Sequence, residues 1–177
     1  MIRSVYQTLK FKGNDEEVQR HGPYKCSDSK AWLHQGYYFW EQFIEPAHYW
    51  GKTWNKGRYI IARGQCLITD SELFDLVGNT DHIKQIREVF EYLADQGLVN
   101  ENTTVSHVID FLIKTNTFDF IAARAITTES FAGYKYLKLN YEAGKKTSLI
   151  MNPAIQICIY DLEKAYFEGF EIVYTPT

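Results

Sequence analysis

The residues best able to do chemistry gather in one short stretch, QGYYFWE (residues 35–41), where a glycine precedes four consecutive aromatics and an acid. Such a run fits neither an amphipathic helix nor an alternating, half-buried strand, so both of its faces must find apolar company. Tyrosine joins a large apolar ring to a polar tip, which suits ligand pockets as well as cores. Two other polar groups interrupt apolar strands. Gln156 sits in AIQICIY and needs a hydrogen-bond partner if buried. Arg124 sits in AARAI, where a guanidinium requires a carboxylate or a phosphate, so a structural ion pair and a pyrophosphate contact are equal readings. The five histidines share no His-x-x-x-His spacing, and Cys26, Cys66 and Cys158 are far apart with no C-x-x-C. Neither a metal site nor a disulfide framework is expected from them.

The elements that must position these groups can be read from pattern. SVYQTLKF (residues 4–11) alternates as an opening strand. Residues 12–30 read as a polar loop with a helical turn near 15–20. Phe43, Ala47, Trp50 and Trp54 recur at helical spacing, with Pro46 in the first turn. RYIIARGQCLI (58–68) reads as a strand broken at Gly64, and Asp70 as the cap of a short helix reaching Val77. Thr80 or Asp81 caps a longer helix with an inward stripe of Ile83, Ile86, Val89, Phe90 and Leu93, stopped by Gly97. Thr103 or Thr104 caps another, with Val105, Val108, Ile109 and Leu112 inward. Strands follow at 118–127, 154–160 and 168–174, with DLEKAYFEG as a turn or hairpin connection between the last two. These late strands lie too close together for helical crossovers, so the protein is α+β with mostly antiparallel strands. No G-x-G-x-x-G fingerprint or P-loop supports a dinucleotide-binding parallel fold.

Composition sets outer bounds. A chain of 177 residues suits one domain, 1–177, with a core that needs no metal or disulfide. A net charge of -3 gives no bulk attraction to nucleic acid or anionic membrane, though a local basic groove remains compatible with it. No apolar run approaches about 18 residues, and the opening MIRSVYQTLK lacks the apolar centre of a signal peptide. With few, scattered cysteines, the simplest expectation is a reducing, cytoplasmic setting without a membrane partner.

Several segments, in order, resemble the ADP-ribosyltransferase fold. The strand with VYQT is similar to that fold's (L/V)YHGT opening, WLHQGYYFWE to the G-x-Y-F motif of the H-Y-E branch (diphtheria-toxin-like and poly(ADP-ribose)-polymerase-like enzymes), and AHYWGKTW to the helix after it. FDFIAARAI and NPAIQICIYD resemble later segments of small uncharacterised bacterial relatives. The resemblance implies two small, mostly antiparallel sheets forming an NAD cleft with flanking helices, and the helices of 80–115 outside that cleft. It implies NAD as substrate, Tyr38 as a platform for the nicotinamide ring, Tyr37 and Phe39 packed on the opposite side, and Trp40 at the base of the next helix. Gln7, Tyr38 and Gln156 fall at the three catalytic positions. Thr8, Gly36, His34 and Arg124, with Gln7 and Tyr38, are the implied cofactor-binding set. By analogy of fold alone, such a module acts as a mono-ADP-ribosyltransferase, a bacterial toxin or phage-defence effector, on a protein or nucleic-acid acceptor and under an antitoxin protein. The alternative is a catalytically weakened module that only binds.

Two positions depart from the pattern. Gln7 stands where the branch has histidine and Gln156 where it has glutamate. An HG pair recurs at His21, but too near Tyr38 to begin a separate strand. Cleaving the glycosidic bond of NAD builds positive charge on the ribose, which a carboxylate stabilises and a carboxamide does not. The difference is about 2–4 kcal/mol of barrier in a dry cleft. Glu41, Glu129, Glu163 and Asp161 are the carboxylates that could stand in.

Overall fold

Alternation of apolar side chains builds a sheet, and the helices pack where that alternation leaves ring-lined hollows. The computed structural model describes residues 1–127 and 131–176. In chain order the elements are β1 (Ile2–Lys10), α1 (Asp15–His21), β2 (Tyr37–Glu41), α2 (Glu45–Trp54), β3 (Tyr59–Leu67), β4 (Leu73–Asp75), α3 (Thr80–Asp95), α4 (Val105–Lys114), β5 (Ala122–Ile126), β6 (Lys138–Asn140), β7 (Ser148–Ile150), β8 (Ile155–Ile159) and β9 (Glu168–Tyr174). Seven strands form one sheet, β4-β5-β8-β2-β1-β3-β9, and β6 and β7 form a separate ribbon. Every neighbouring pair in the large sheet is antiparallel except β4 and β5, which are joined through α3 and α4 and run parallel. The protein is therefore a mixed α+β fold, as the strand and helix pattern predicts. No helix among the described residues is long and apolar enough to cross a membrane.

The sheet has two unlike faces. On one, Val5, Phe39, Ile157 and Ile159 pack with Cys66, Ile68 and Leu73, and the segment after β8 closes over them with Ala165 and Phe167. The Phe167 ring stacks on Phe39 at 5.3 Å. On the other face, two clusters sit apart. Trp40 packs with Ala47, Tyr59, Ile61 and Phe131, while Leu33, Phe74, Ile109 and Cys158 gather with Tyr38 and Tyr160. The consecutive aromatics of β2 are thus shared between both faces: Tyr37 and Phe39 go one way, Tyr38 and Trp40 the other.

The two halves of the sheet meet at β1 and β2, which pair only at Val5↔Glu41 and Tyr6↔Trp40. One more turn of contact comes from Gln42, whose N–H donates to Ser4 O (2.8 Å) and whose side chain accepts from Ser4 N–H (2.9 Å). Beneath this junction runs a chain of ionic groups. Arg3 pairs with Glu41, Glu41 with Arg124 (3.1 Å), and Arg124 grips Asp75 with two bonds of 2.8 Å. Four strands, β1, β2, β5 and β4, are tied by these side chains.

Several sequence expectations are corrected. β3 is continuous through Gly64, whose missing side chain leaves room for the Phe167 ring. The segment after Asp70 is not a helix. Thr69 and Glu72 close a turn by side-chain bonds (2.6 and 2.9 Å), and 73–75 then pairs with β5, where Phe74 is wholly buried. Asn79, not Thr80 or Asp81, caps α3 by accepting from Asp81 and His82 N–H. Of the stripe proposed for α3 only Leu93 is buried, and Ile83 and Phe90 are exposed. In α4, Val108, Ile109 and Leu112 are buried and Val105 is exposed. Of the two readings of DLEKAYFEG the turn holds and the hairpin does not: β8 pairs with β2 and β5, whereas β9 pairs with β3 at the far edge. The implied pair of sheets is one hydrogen-bonded sheet that narrows to two residue pairs at its middle.

Removing Glu41 would leave two guanidiniums facing each other with little water. Glu41→Ala is expected to destabilise the fold by about 3–5 kcal/mol, read by urea denaturation; a loss under ~1 kcal/mol would mean that the ionic chain does not hold the junction. Burial works to raise the Asp75 pKa, but the bonds from Arg124 and from Gly78 and Val77 N–H outweigh it and hold the carboxyl at about 2. A carboxyl more acidic in the folded than in the unfolded chain stabilises above the unfolded value of about 4, and that contribution is lost as pH falls toward 2. Melting temperature should therefore drop over that window, and Asp75→Asn should flatten the drop.

Candidate functional site

Beyond Tyr6 and Trp40 the strands β1 and β2 diverge, and Gln7 bridges the opening. Its Nε2 donates to Tyr24 O (2.8 Å) and, at 3.4 Å, to Tyr38 O, while its Oε1 accepts from Tyr24 N–H (2.9 Å). The carboxamide thus imitates a peptide of a neighbouring strand. The segment it holds continues to Cys26, which exchanges backbone bonds of 2.8 and 3.1 Å with Gly36. A loop that the sequence presents as polar and irregular is in this way sewn into the split of the sheet.

A cleft of about 510 Å³ opens over the split, a size ordinary for small-molecule sites. Strand residues Gln7, Thr8, Leu9, Tyr38, Trp40 and Gln156 line it, together with Trp50 from α2 and Tyr24–Cys26, Asp28 and Lys30–Trp32 from the loop. Gln7, Tyr38 and Gln156 come from three different strands and meet here. Thr8 lines the cleft too, and its hydroxyl donates to Ala47 O (2.9 Å), fastening α2 to β1. Trp40, Trp50 and Trp54 form a relay of rings, with centroids 6.0 and then 5.2 Å apart. α3 and α4 do not line the cleft.

Gln156 is nine-tenths buried, and the parity of β8 sets its direction. Ile157 and Ile159 turn to the Val5 face and Gln156 to the cleft. The indole N–H of Trp32 donates to its Oε1 at 2.7 Å. Indole nitrogen only donates, so this contact fixes which end of the amide is which. Nε2 has no hydrogen-bond partner among the described residues, so Gln156 presents N–H donors to whatever occupies the cleft.

Tyr38 is held at its tip. Its hydroxyl donates to His34 O (2.6 Å) and accepts from Leu33 N–H (2.9 Å). Burial pushes its ionisation well above the usual phenol range, with the neighbouring Cys158 adding to the effect. Tyr38 therefore acts as a neutral ring and not as a base. The Cys158 thiol is likewise pushed up by burial and stays protonated.

Three implied cofactor-binding residues do not line the cleft. Arg124 shares the Ile157 face of the sheet, opposite Gln156, and is spent on Asp75 and Glu41. His34 faces α4, with Nε2 3.6 Å from Asp110. Gly36 packs where any side chain would meet Cys158 Sγ and Ile159 O. Of the stand-in carboxylates, Glu41 belongs to the ionic chain, Asp161 caps the turn at Lys164 N–H (3.0 Å), Glu163 lies outside the cleft, and Glu129 lies outside the described residues. The exposed Asp28 is the one carboxylate lining the cleft among the described residues. Sequence reasoning missed Trp32, Tyr24, Lys25 and Lys30. Trp32 was legible, since it opens the WLHQGYYFWE motif; the lysines looked like ordinary solvated loop charge.

Chemically, the cleft offers aromatic surfaces for a flat ring, two lysine ammoniums at its edge for anionic groups, and amide donors at Gln156. Compared with protein-family models, curated proteins and solved structures, the chain matches none.

Gln7→Ala would strip partners from Tyr24 N–H and O. It is expected to cost about 1–3 kcal/mol and to speed amide hydrogen exchange at residues 24–26 while leaving α3 and α4 unchanged. Equal protection in the variant would show that the loop is held by something other than the Gln7 amide.

Proposed function

We propose that the cleft binds NAD and that the protein is an ADP-ribosyltransferase-like domain that moves ADP-ribose onto a macromolecular acceptor. One observation carries the reading. The catalytic positions that the resemblance assigned, Gln7, Tyr38 and Gln156, lie on three strands far apart in sequence, and all line one cleft with Thr8. Aromatic rings around it suit nicotinamide and adenine, and Lys25 and Lys30 suit the diphosphate. Toxin or phage-defence action and an antitoxin partner rest on the family resemblance, and cytoplasmic residence rests on the few, scattered cysteines.

In such a transfer the acceptor's lone pair forms a bond to C1′ of the nicotinamide ribose. The C1′–N bond breaks, its electron pair leaves with neutral nicotinamide, and the acceptor's proton passes to solvent. The Tyr38 ring would support the nicotinamide while it is cationic. Gln7 acts on the site indirectly, by holding the Tyr24–Cys26 segment. Gln156 contributes donors and no charge, so the reaction lacks the carboxylate term and should run slowly, by roughly 30- to 1000-fold relative to a glutamate in its place.

A second reading, a binding module of the same fold, is favoured by one observation: no buried carboxylate lines the cleft among the described residues. Calorimetry with NAD and an assay for nicotinamide release separate the cases. NAD should bind the native chain, and Tyr38→Phe, which keeps the ring and loses only its bonds to residues 33 and 34, should bind far better than Tyr38→Ala. Absence of NAD binding in the folded native protein would end both readings. Gln156→Glu keeps the shape and adds a charge beside Trp32. Faster nicotinamide release would mark the position as the missing catalytic carboxylate, and unchanged release with NAD bound would favour the binding module.

A further inference from the structure

The chain carries net negative charge, yet its cations are not spread evenly. Residues 46–69 contain no Asp or Glu, and neither do residues 1–14. The fold brings parts of both stretches to the rim of the cleft. Leu9 and Trp50 line it. Lys10 pairs with Tyr59, and Phe11 N–H donates to Arg58 O (3.1 Å), which brings Lys10 and Arg58 to the same end of the sheet. Gly57 N–H reaches Gly51 O (3.3 Å), closing the C-terminal turn of α2, where Lys52 and Lys56 are exposed. Lys25 and Lys30 line the cleft itself from the loop, with Asp28 between them in sequence. None of these six cations makes an ion pair among the described residues, whereas exposed cations of α3 and α4 do, as in Lys84–Glu88, Arg87–Glu91 and Lys114–Asp110.

Between the cations stand exposed rings. Trp54 is 62% exposed and lies tilted against Trp50, continuing the relay of tryptophans outward from the cleft. Tyr24 and Trp32 are each 37% exposed on the other side. Surface tryptophan near unpaired lysine is what a polynucleotide needs: cations follow its phosphates while bases stack on ring faces. A dinucleotide's diphosphate would occupy the two cleft lysines and leave four cations unused. An acidic peptide would use the cations and leave the rings unused. A duplex keeps its bases stacked on each other and could not offer them to Trp54.

We infer that the rim binds single-stranded nucleic acid, which is the acceptor class for this cleft. The inference deepens the NAD reading and rests on it for the transfer step, but the binding itself does not depend on NAD. The rim strand leads its bases along Trp54 and Trp50 toward the same opening that Gln156 faces.

The test is fluorescence anisotropy, without NAD, using labelled twelve-nucleotide dT and rU strands and a duplex of equal length. Saturable binding of a single strand is expected, falling with salt at a log–log slope of about −3, as for about four neutralised phosphates. Trp54→Ala should weaken it about tenfold. Lys52→Glu with Lys56→Glu should weaken it and make the slope shallower, while Lys84→Glu on α3 should change nothing. Circular dichroism checks that these surface variants fold. Preference for dT or rU assigns the sugar, and either supports the inference. No binding of either strand overturns it, as does duplex binding as tight as single-strand binding with no effect of Trp54→Ala, or equal displacement by polyglutamate. If NAD binds by calorimetry and the strands do not, the acceptor inference fails alone; if the strands bind and NAD does not, the NAD reading fails and the rim remains a nucleic-acid surface.

Discussion

The short junction between β1 and β2 governs the rest of the molecule. A sheet of seven strands is held at its middle by two residue pairs, with the Ser4–Gln42 bonds beside them. Slippage of one residue there would turn Val5, Phe39 and their partners to the wrong face. The ionic chain under the junction resists this, because Arg3 reaches Glu41 and Arg124 reaches Glu41 and Asp75 only in the observed register. Buried ion pairs add little net stability compared with apolar packing, but a mismatched one is very costly. Their effect here is to specify the pairing. With the junction fixed at one end, the strands are free to diverge at the other, and the opening becomes the cleft.

Gln7 shows how the divergence is tolerated. An open strand edge inside a protein leaves backbone groups unpaired, which folding does not permit at low cost. Here the Gln7 amide supplies one donor and one acceptor to Tyr24, and the Cys26–Gly36 bridge supplies the next pair. The loop then delivers Trp32 to Gln156. The cleft's shape and the orientation of Gln156 therefore trace back to a single carboxamide on β1.

Much of this was legible from residue order. The aromatic run of β2 does find apolar company on both faces, and Gln156, polar within an apolar strand, does have a hydrogen-bond partner. Gln7, Tyr38 and Gln156 were singled out together by the family resemblance, and Gln156 also by its place in an apolar strand. Other features were hidden for physical reasons. β4 is three residues long and exists only because β5 lies beside it, so its own pattern carried no signal. The β6–β7 ribbon, with Leu139 opposite Leu149, fell in a stretch that had been assigned no structure. α3 looked like a core helix by periodicity, yet only Leu93 of that stripe is buried, Ile86 and Val89 are half-buried and Ile83 and Phe90 are exposed, because a stripe shows amphipathicity without showing what covers it. Arg124 and Glu41 could have been excluded from the cleft only with the registers of β5 and β2 against β8 in hand.

The identity of residue 156 bears on what such a cleft can do. A carboxylate buried there would have the Trp32 N–H as its neutral partner, and the lysines that share the cleft are exposed and well solvated. Desolvation would then push its pKa up, and part of its charge would be lost at neutral pH. The neutral amide avoids that penalty and keeps one fixed orientation, since the indole claims its oxygen. Charge stabilisation and a rigid, satisfied donor are thus competing uses of the same position. This chain takes the second, and the cations that line its cleft, Lys25 and Lys30, are exposed on the loop and not on the buried floor.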